Sequence, residues 1–362
     1  MVPPRHRACV KMEELLSAVC EGMDLEANDD LRLPLRNLAN GLREVVSQLR
    51  EGESLWKSEN FDLQHFWKSL GECFKAISHE ATKLSLAFSK PPLPSVQDCQ
   101  KLTADFQKNV LNLTTVYYWL PKSQGVTLRR LVRDATVDVV EGVIQLLNVI
   151  LSTPLQSLSQ GQLTSTGGVW EACDRFSKLP KDNQAAVLSL MLSYAAIVED
   201  ALEEMEQAQH ADNPDPFSDI FDDADTRENR DTYWSEADKQ VMAPCLGLVK
   251  AAKACLKKVS AAMKTHGKVD SLQHITQLDD LGDITSEISP SVDELVLSLY
   301  PPMDHVTVQM NAANVTMVLN KVLEIAKSSH VCPESENSWL QFLSGAIEHN
   351  MDKVKDLTQG ST

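Results

Sequence analysis

Apolar residues recur at every third or fourth position over long stretches of this chain, and prolines fall mainly between the stretches. A helix tolerates proline only near its ends, and this apolar spacing matches one side of an α-helix. The widest stripe lies in predicted helix 127–151, and its members are Leu128, Leu131, Val132, Ala135, Val139, Val143, Leu146 and Ile150. The pattern therefore predicts an all-α protein built from long helices.

The first half of the chain is predicted to form a five-helix bundle. Its long helices are predicted at residues 31–50, 61–89, 95–120, 127–151 and 182–209, with a short helix at 169–178. Asn60, Ser95 and Asp182 precede three of the long helices. Side chains of these types cap helix N-termini by accepting backbone hydrogen bonds, so they support the predicted starts.

The second half is predicted to form a bundle of four or five helices. They are predicted at residues 235–266, 271–288, 291–300, 306–329 and 338–357. Ser235 with Asp238, and Ser291 with Glu294, have the spacing of a capping box at a helix start. Within each of the two bundles, neighbouring helices are expected to run antiparallel.

The length of 362 residues also favours two domains, because single cores seldom grow beyond about 250–300 residues. The predicted order is a frayed or disordered extension at 1–28, a first bundle at 29–210, an acidic flexible linker at 211–232 and a second bundle at 233–362.

Charge is concentrated rather than spread along the chain. The formal net charge is −17, and the segment from Glu199 to Asp238 holds 15 acidic residues against Arg227 and Arg230, which leaves −4 for all other residues together. An acidic protein repels the phosphate backbone, so we expect no direct binding to nucleic acid.

A basic stripe follows this acidic segment. Its lysines recur at helical spacing at Lys250, Lys253, Lys257, Lys264 and Lys268. Two interpretations stay open: the stripe is the solvated outer side of a helix, or the acidic linker folds back on it and screens it from acidic partners.

No motif for catalysis or metal binding is complete. His79-Glu80 resembles the start of a zinc-protease motif, but Lys83 stands where the second His is required. Asp223 and Asp225 resemble a calcium loop, but Glu228 occupies the position of its invariant Gly. We therefore expect no enzyme, no metal and no cofactor.

The cellular compartment is predicted from the cysteines, the apolar runs and the first ten residues. Eight Cys residues are scattered without a C-x-x-C pair, as reduced thiols in helix cores would be. The longest strongly apolar run, Val143 to Leu151, is about half of what a membrane helix needs, and residues 1–10 contain no apolar run of a secretory signal. We expect a protein of cytoplasm and nucleus without a membrane span.

Short linear motifs each have two interpretations. Pro91-Pro92-Leu93-Pro94 fits either an SH3 ligand or a tight turn between helices. Arg129-Arg130-Leu131 resembles a cyclin-docking motif, but Leu131 belongs to the core stripe and is expected to be inaccessible. Ser235 and Ser289 have the sequence context of phosphorylation sites, although capping alone explains Ser235.

One segment carries a resemblance to a known family. It comprises Gln277-Leu278-Asp279-Asp280, Asp283-Ile284, Ser286 to Asp293 and Tyr300-Pro301-Pro302-Met303. Further matching pieces include Tyr117-Tyr118, Tyr233-Trp234-Ser235-Glu236 and Ala254-Cys255-Leu256-Lys257-Lys258. With these residues the chain resembles the cyclin-D-binding family, the Grap- and cyclin-D-interacting proteins, over nearly all of residues 31–358.

The resemblance implies a function and partners. It implies binding of a D-type cyclin, lowered phosphorylation of the retinoblastoma protein by the cyclin's kinase, binding of a Grap-like adaptor, and sequestration of helix-loop-helix transcription factors. The implied fold is a pair of bundles similar to those of talin, vinculin and α-catenin. On these grounds we expect a phosphorylated, non-catalytic negative regulator of the cell cycle. The alternative is a cytoskeletal or signalling adaptor built on the same kind of bundle.

Candidate partner-binding residues come from the resembling segment and from the basic stripe. They are Asp279, Asp280, Asp283, Glu287, Lys250, Lys253 and Lys257. The alternative for the resembling segment is that Leu278, Leu281, Ile284 and Ile288 merely pack the second bundle.

Overall fold

The computed structural model describes residues 31–51, 61–90, 92–153, 159–211 and 234–359. Within these ranges the chain forms α-helices and short 3-10 turns and no strand, so the predicted all-α class is confirmed. The predicted extension at 1–28 and the acidic linker from residue 212 lie outside the described residues.

The chain divides into two compact units, one ending at Lys181 and the other beginning at Asp182. The helices of the first unit are α1 Arg32–Glu51, α2 Leu63–Ala87, α3 Val96–Trp119, α4 Val126–Ser152 and α5 Gln160–Asp174. Helix α4 packs against α1, α3 and α5, and α2 packs against α3 and α5. The apolar stripe of α4 from Leu128 to Ile150 therefore lies at the centre of this unit, as the wide apolar pattern predicted.

The second unit contains six helices in its described part. They are α6 Asn183–Ala211, α7 Glu236–His266, α8 Leu272–Thr285, α9 Ile288–Ser298, α10 His305–Ser328 and α11 Asn337–Gln359. Helix α7 packs against α6, α10 and α11, while α6 also contacts α8 and α9.

Helix α6 was predicted to belong to the first bundle, and the structure differs. Val187, Met191 and Val198 are buried in one core with side chains of α7 to α11. Asn183 and Asp279, both buried, also join α6 to α8 by a hydrogen bond of 2.9 Å. The unit boundary consequently falls before this helix and not at residue 210.

The predicted helix starts were mostly right. Ser95, Asp182 and Ser235 all accept backbone hydrogen bonds from the first turn of the helix that follows. Asn60, expected to cap α2, lies outside the described residues, and Asp62 accepts from the backbone of Gln64 and His65 and so caps this helix.

Two helix bounds predicted from the sequence were wrong. The helix expected at 169–178 begins earlier, at Gln160 after the cap Ser159. Helix α9 begins at Ile288 and not after Ser291, so Pro290 lies in its first turn. That position is permitted because backbone N–H groups of a first turn have no partner within the helix.

Two of the described helices are long and apolar enough to cross a membrane, namely α4 and the portion of α6 from Asn183 to Gln209. Length and composition are weak grounds, because core helices of other proteins meet the same criteria. Half of the tested stretch of α4 is buried by protein, against 28% for α6. The expectation of no membrane span stays a prediction.

Candidate partner-binding surface

The first half of the basic stripe is paired with helix α6. Lys250 Nζ lies 2.9 Å from Glu206 Oε1, and Lys253 Nζ lies 2.7 Å from Glu199 Oε1. The hydrogen bond that Lys253 donates to Glu199 raises the pKa of Lys253, and the negative charges of α6 add to this effect. The positive charge at this end of α7 is therefore matched by acidic residues from its own unit.

This pairing bears on the two interpretations of the stripe. Glu199 and Glu206 belong to the acidic segment recognised in the sequence, so the helical start of that segment contacts the stripe. The linker itself lies outside the described residues, and its folding back stays a prediction. Lys257 lies further along α7 and is exposed, so it is the stripe candidate that best suits a partner.

The four acidic candidates divide between the core and the surface. Asp279 is only 8% exposed and its Oδ1 accepts a hydrogen bond from Asn183 Nδ2. It therefore holds α6 to α8 and is not available to a partner. Asp280, Asp283 and Glu287 are exposed at the surface of α8 and of the turn that follows.

The apolar residues of the same segment belong to the core. Leu278, Leu281 and Ile288 are fully buried, and the half-buried Ile284 packs against them. The packing interpretation is thus confirmed for the apolar positions. A partner can reach this segment only through its polar side.

The region around these candidates is uniformly acidic, which the sequence reasoning missed. Residues 269–320 contain eight acidic residues and neither Lys nor Arg. The eight are Asp270, Asp279, Asp280, Asp283, Glu287, Asp293, Glu294 and Asp304. A count of charge in windows shorter than a domain would have revealed this. Helices α8, α9 and the first turns of α10 consequently present negative charge without compensation from their own sequence.

Of the two predicted phosphorylation sites, one is exposed. Ser235 caps α7, its Oγ donates to Asp238 Oδ2 at 2.7 Å, and Asp238 Oδ1 also lies 2.8 Å from His305 Nε2. Burial tends to raise the pKa of Asp238, but the hydrogen bonds from Ser235 and His305 outweigh it and the pKa is lowered. Ser289 is only 6% exposed and lies in the first turn of α9, where a kinase cannot reach it unless that turn opens.

The cyclin-docking motif expected to be inaccessible is buried at its first residue and half-buried at the other two. The guanidinium of Arg129 is buried, lies 4.8 Å from the centre of the Tyr117 ring and donates to Leu120 O. Leu131, expected to be the buried residue, is only half-buried. Burial of Arg129 therefore makes the motif inaccessible to a cyclin.

The remaining sequence motifs have structural roles. Glu80, from the incomplete zinc-protease motif, is buried and pairs with Lys83 at 2.8 Å. Pro92 is exposed, while Pro91 lies outside the described residues.

The described part of the chain gives little support for catalysis or metal binding. No group of three or more His, Cys, Asp or Glu side chains there is placed to hold a metal ion. An open groove of about 510 Å³ between α1 and α4 is lined by Arg50 and Glu141, which form an exposed ion pair of 2.6 Å. The expectations of no enzyme, no metal and no cofactor stay predictions.

Comparisons with known proteins cover both units. A family model described as Grap2 and cyclin-D-interacting, N-terminal, matches residues 69–211, and the corresponding C-terminal model matches residues 219–324. The chain is 60% identical over 330 residues to the cyclin-D1-binding protein 1 homolog of Xenopus laevis, which covers 91% of this chain and 99% of that protein. It is 54% identical over 334 residues to the homolog of Danio rerio, covering 91% and 97%. It is 44% identical over 340 residues to cyclin-D1-binding protein 1 of Homo sapiens, covering 90% and 93%.

Proposed function

Because this chain belongs to the family of Grap2 and cyclin-D-interacting proteins, we propose that it binds a D-type cyclin. The observation that carries the proposal is the extent of the match, since relatives named for cyclin D1 binding align over about nine-tenths of the chain. The geometry is compatible with a binding role, because the helices bury their apolar stripes and leave broad polar surfaces outside.

The consequence of this binding is inhibition by occupancy. A cyclin held by this protein would phosphorylate less retinoblastoma protein through its kinase, which would restrain the cell cycle. We extend the proposal to a Grap-like adaptor and to sequestered helix-loop-helix transcription factors as further partners, and to a location in cytoplasm and nucleus. Phosphorylation of Ser235, which is exposed beside Asp238, would add charge at the start of α7.

We place the cyclin contact at the exposed acids of α8 and the turn after it. Asp280, Asp283 and Glu287 lie in the stretch of residues 269–320, which contains no Lys or Arg and so carries a net negative charge. Charges at the rim of an interface steer association and select the partner more than they add affinity. Reversing these charges should therefore slow association and, through it, weaken binding.

The test is calorimetric titration of a purified D-type cyclin into the full-length protein and into a variant with Asp280→Lys, Asp283→Lys and Glu287→Lys. We expect the variant to bind at least about tenfold more weakly, which corresponds to about 1.4 kcal/mol. The matched control carries Glu348→Lys, Asp352→Lys and Asp356→Lys, which are exposed acids of α11. An equal loss in both variants would show that net charge and not this site governs binding, and no heat with the unaltered protein would refute cyclin binding itself.

The regulatory part of the proposal needs a second assay. Adding the protein to a D-type cyclin with its kinase should lower the rate of retinoblastoma phosphorylation in proportion to the cyclin bound. A pull-down with actin and adhesion proteins tests the adaptor alternative. Capture of those proteins without capture of cyclin would favour the alternative.

A further inference from the structure

Four large apolar side chains on helices α9 and α10 are turned to solvent. Leu297 is 70% exposed, Val306 71%, Met310 65% and Met317 63%. A single exposed apolar residue needs no explanation, but several close together mark interaction sites.

Three of them share one side of α10, and the fourth lies on the neighbouring end of α9. Val306, Met310 and Met317 follow one another at intervals of four and seven residues, which places them along one side of α10. Asn311 Nδ2 donates to Glu294 O at 3.0 Å, so the last turns of α9 lie beside the first turns of α10. Leu297 lies one turn after Glu294, in the part of α9 that lies beside the start of α10. We call these four residues the α9–α10 strip.

The strip lies within the acidic region. Asp293 and Glu294 are exposed on α9, Asp304 is exposed just before α10, and no Lys or Arg occurs from residue 269 to 320. The next cation, Lys321, lies one turn beyond Met317 and is paired with Glu324 at 3.1 Å. Methionine side chains are flexible and adapt to differently shaped apolar partners. An apolar strip with acidic borders is complementary to one kind of secondary structure, a helix with an apolar side and basic borders.

We propose that the α9–α10 strip is a docking site for an amphipathic, Lys- and Arg-rich helix of a partner protein. The twelve residues from Val306 to Met317 span about 16 Å, which suits about three turns of a docked helix. This inference deepens the proposed function by naming the recognition element of a partner, and it rests on that function only in treating the second unit as protein-binding.

Charge favours this occupant over two others. An anionic membrane surface would repel the acidic borders. A second copy that presented the same strip would bring acidic borders against acidic borders, so a symmetric dimer through this surface is disfavoured. Self-association through another surface of the second copy is an outcome that the test must distinguish.

The test measures fluorescence anisotropy of a labelled helical peptide added to the full-length protein. The peptide has Leu at helical spacing on one side and Lys at the positions that border this side. A matched peptide has Glu in place of each Lys. We expect the Lys peptide to bind at least tenfold more tightly than the Glu peptide, and more weakly as salt rises from about 0.05 to about 0.3 M. Equal binding of the two peptides would overturn the proposal.

Variants locate the site. Met310→Gln with Met317→Gln should weaken binding of the Lys peptide at least tenfold, while Leu86→Gln with Leu163→Gln, at exposed positions of the first unit, should leave it unchanged. The reverse pattern would overturn the proposal. Loss of a dimer in the Met variant, seen by sedimentation, would overturn it in favour of a second copy. Because the probe is a peptide, cyclin binding can fail while this inference holds, and the reverse also applies.

Discussion

Replacement of Asn183 by Ala tests whether α6 is part of the second unit. Asn183 is 1% exposed, and its Nδ2 donates to Asp279 Oδ1 at 2.9 Å and, more weakly, to Ile275 O at 3.4 Å. Removing a donor from a buried acceptor costs about 1–3 kcal/mol, because water cannot replace the lost hydrogen bond. This corresponds to an increase of about 5- to 150-fold in the equilibrium constant for opening of the second unit.

Hydrogen exchange read by mass spectrometry gives the effect for each helix. Asn183→Ala should speed exchange in α6 and α8 and leave α1 to α5 unchanged. The matched control is Asn148→Ala in α4, where Asn148 Oδ1 accepts from the exposed Arg43 at 3.0 Å, and we expect a loss below about 0.5 kcal/mol. Unchanged exchange in α6 and α8, or faster exchange in α1 to α5, would refute the assignment of α6.

Further predictions concern a cap, a histidine and a thiol. Ser235→Ala should destabilise the start of α7 by about 0.5–2 kcal/mol, measured as faster exchange in its first turn, whereas Ser235→Asn keeps both an acceptor for the backbone and a donor for Asp238 and should not. Burial and the positive charges of His274 and Lys268 lower the pKa of His330 from 6.5. The unfolded chain therefore binds the proton more readily than the folded chain, and the free energy of unfolding should fall as pH drops through 6.5 toward the lowered pKa. His330→Gln should flatten this dependence in denaturation curves, and an unchanged slope would contradict the assignment. Burial raises the pKa of Cys255 to about 12, so iodoacetamide should label this thiol only after unfolding, and prompt labelling in mass spectra would contradict its burial.

Features decided within one helical turn could be predicted from the sequence. The caps at Ser95 and Ser235 depend on side chains that contact the backbone two or three residues later, so a single sequence contains the relevant information. The wide stripe of α4 likewise indicates a central helix whatever its neighbours are.

Features decided by contacts between distant residues could not be predicted in this way. Asp279 looks like a surface acid, and only its contact with Asn183 of α6 reveals that it is buried. Helix α6 follows the first bundle in sequence, but Val187 and Met191 find their apolar partners in the helices after it. The sequence predicts a division between α8 and α9, but the apolar period continues across Ser286 and Glu287, so the position of the division was misplaced by a few residues.

Amide hydrogen exchange of the full-length protein, with and without a saturating D-type cyclin, measures the location of the bound surface most directly. We expect slower exchange in residues 272–317 of the second unit, centred on the exposed acids of α8, and no change in α1 to α5. Protection confined to the first unit, or no protection at all, would contradict the proposed cyclin-binding surface.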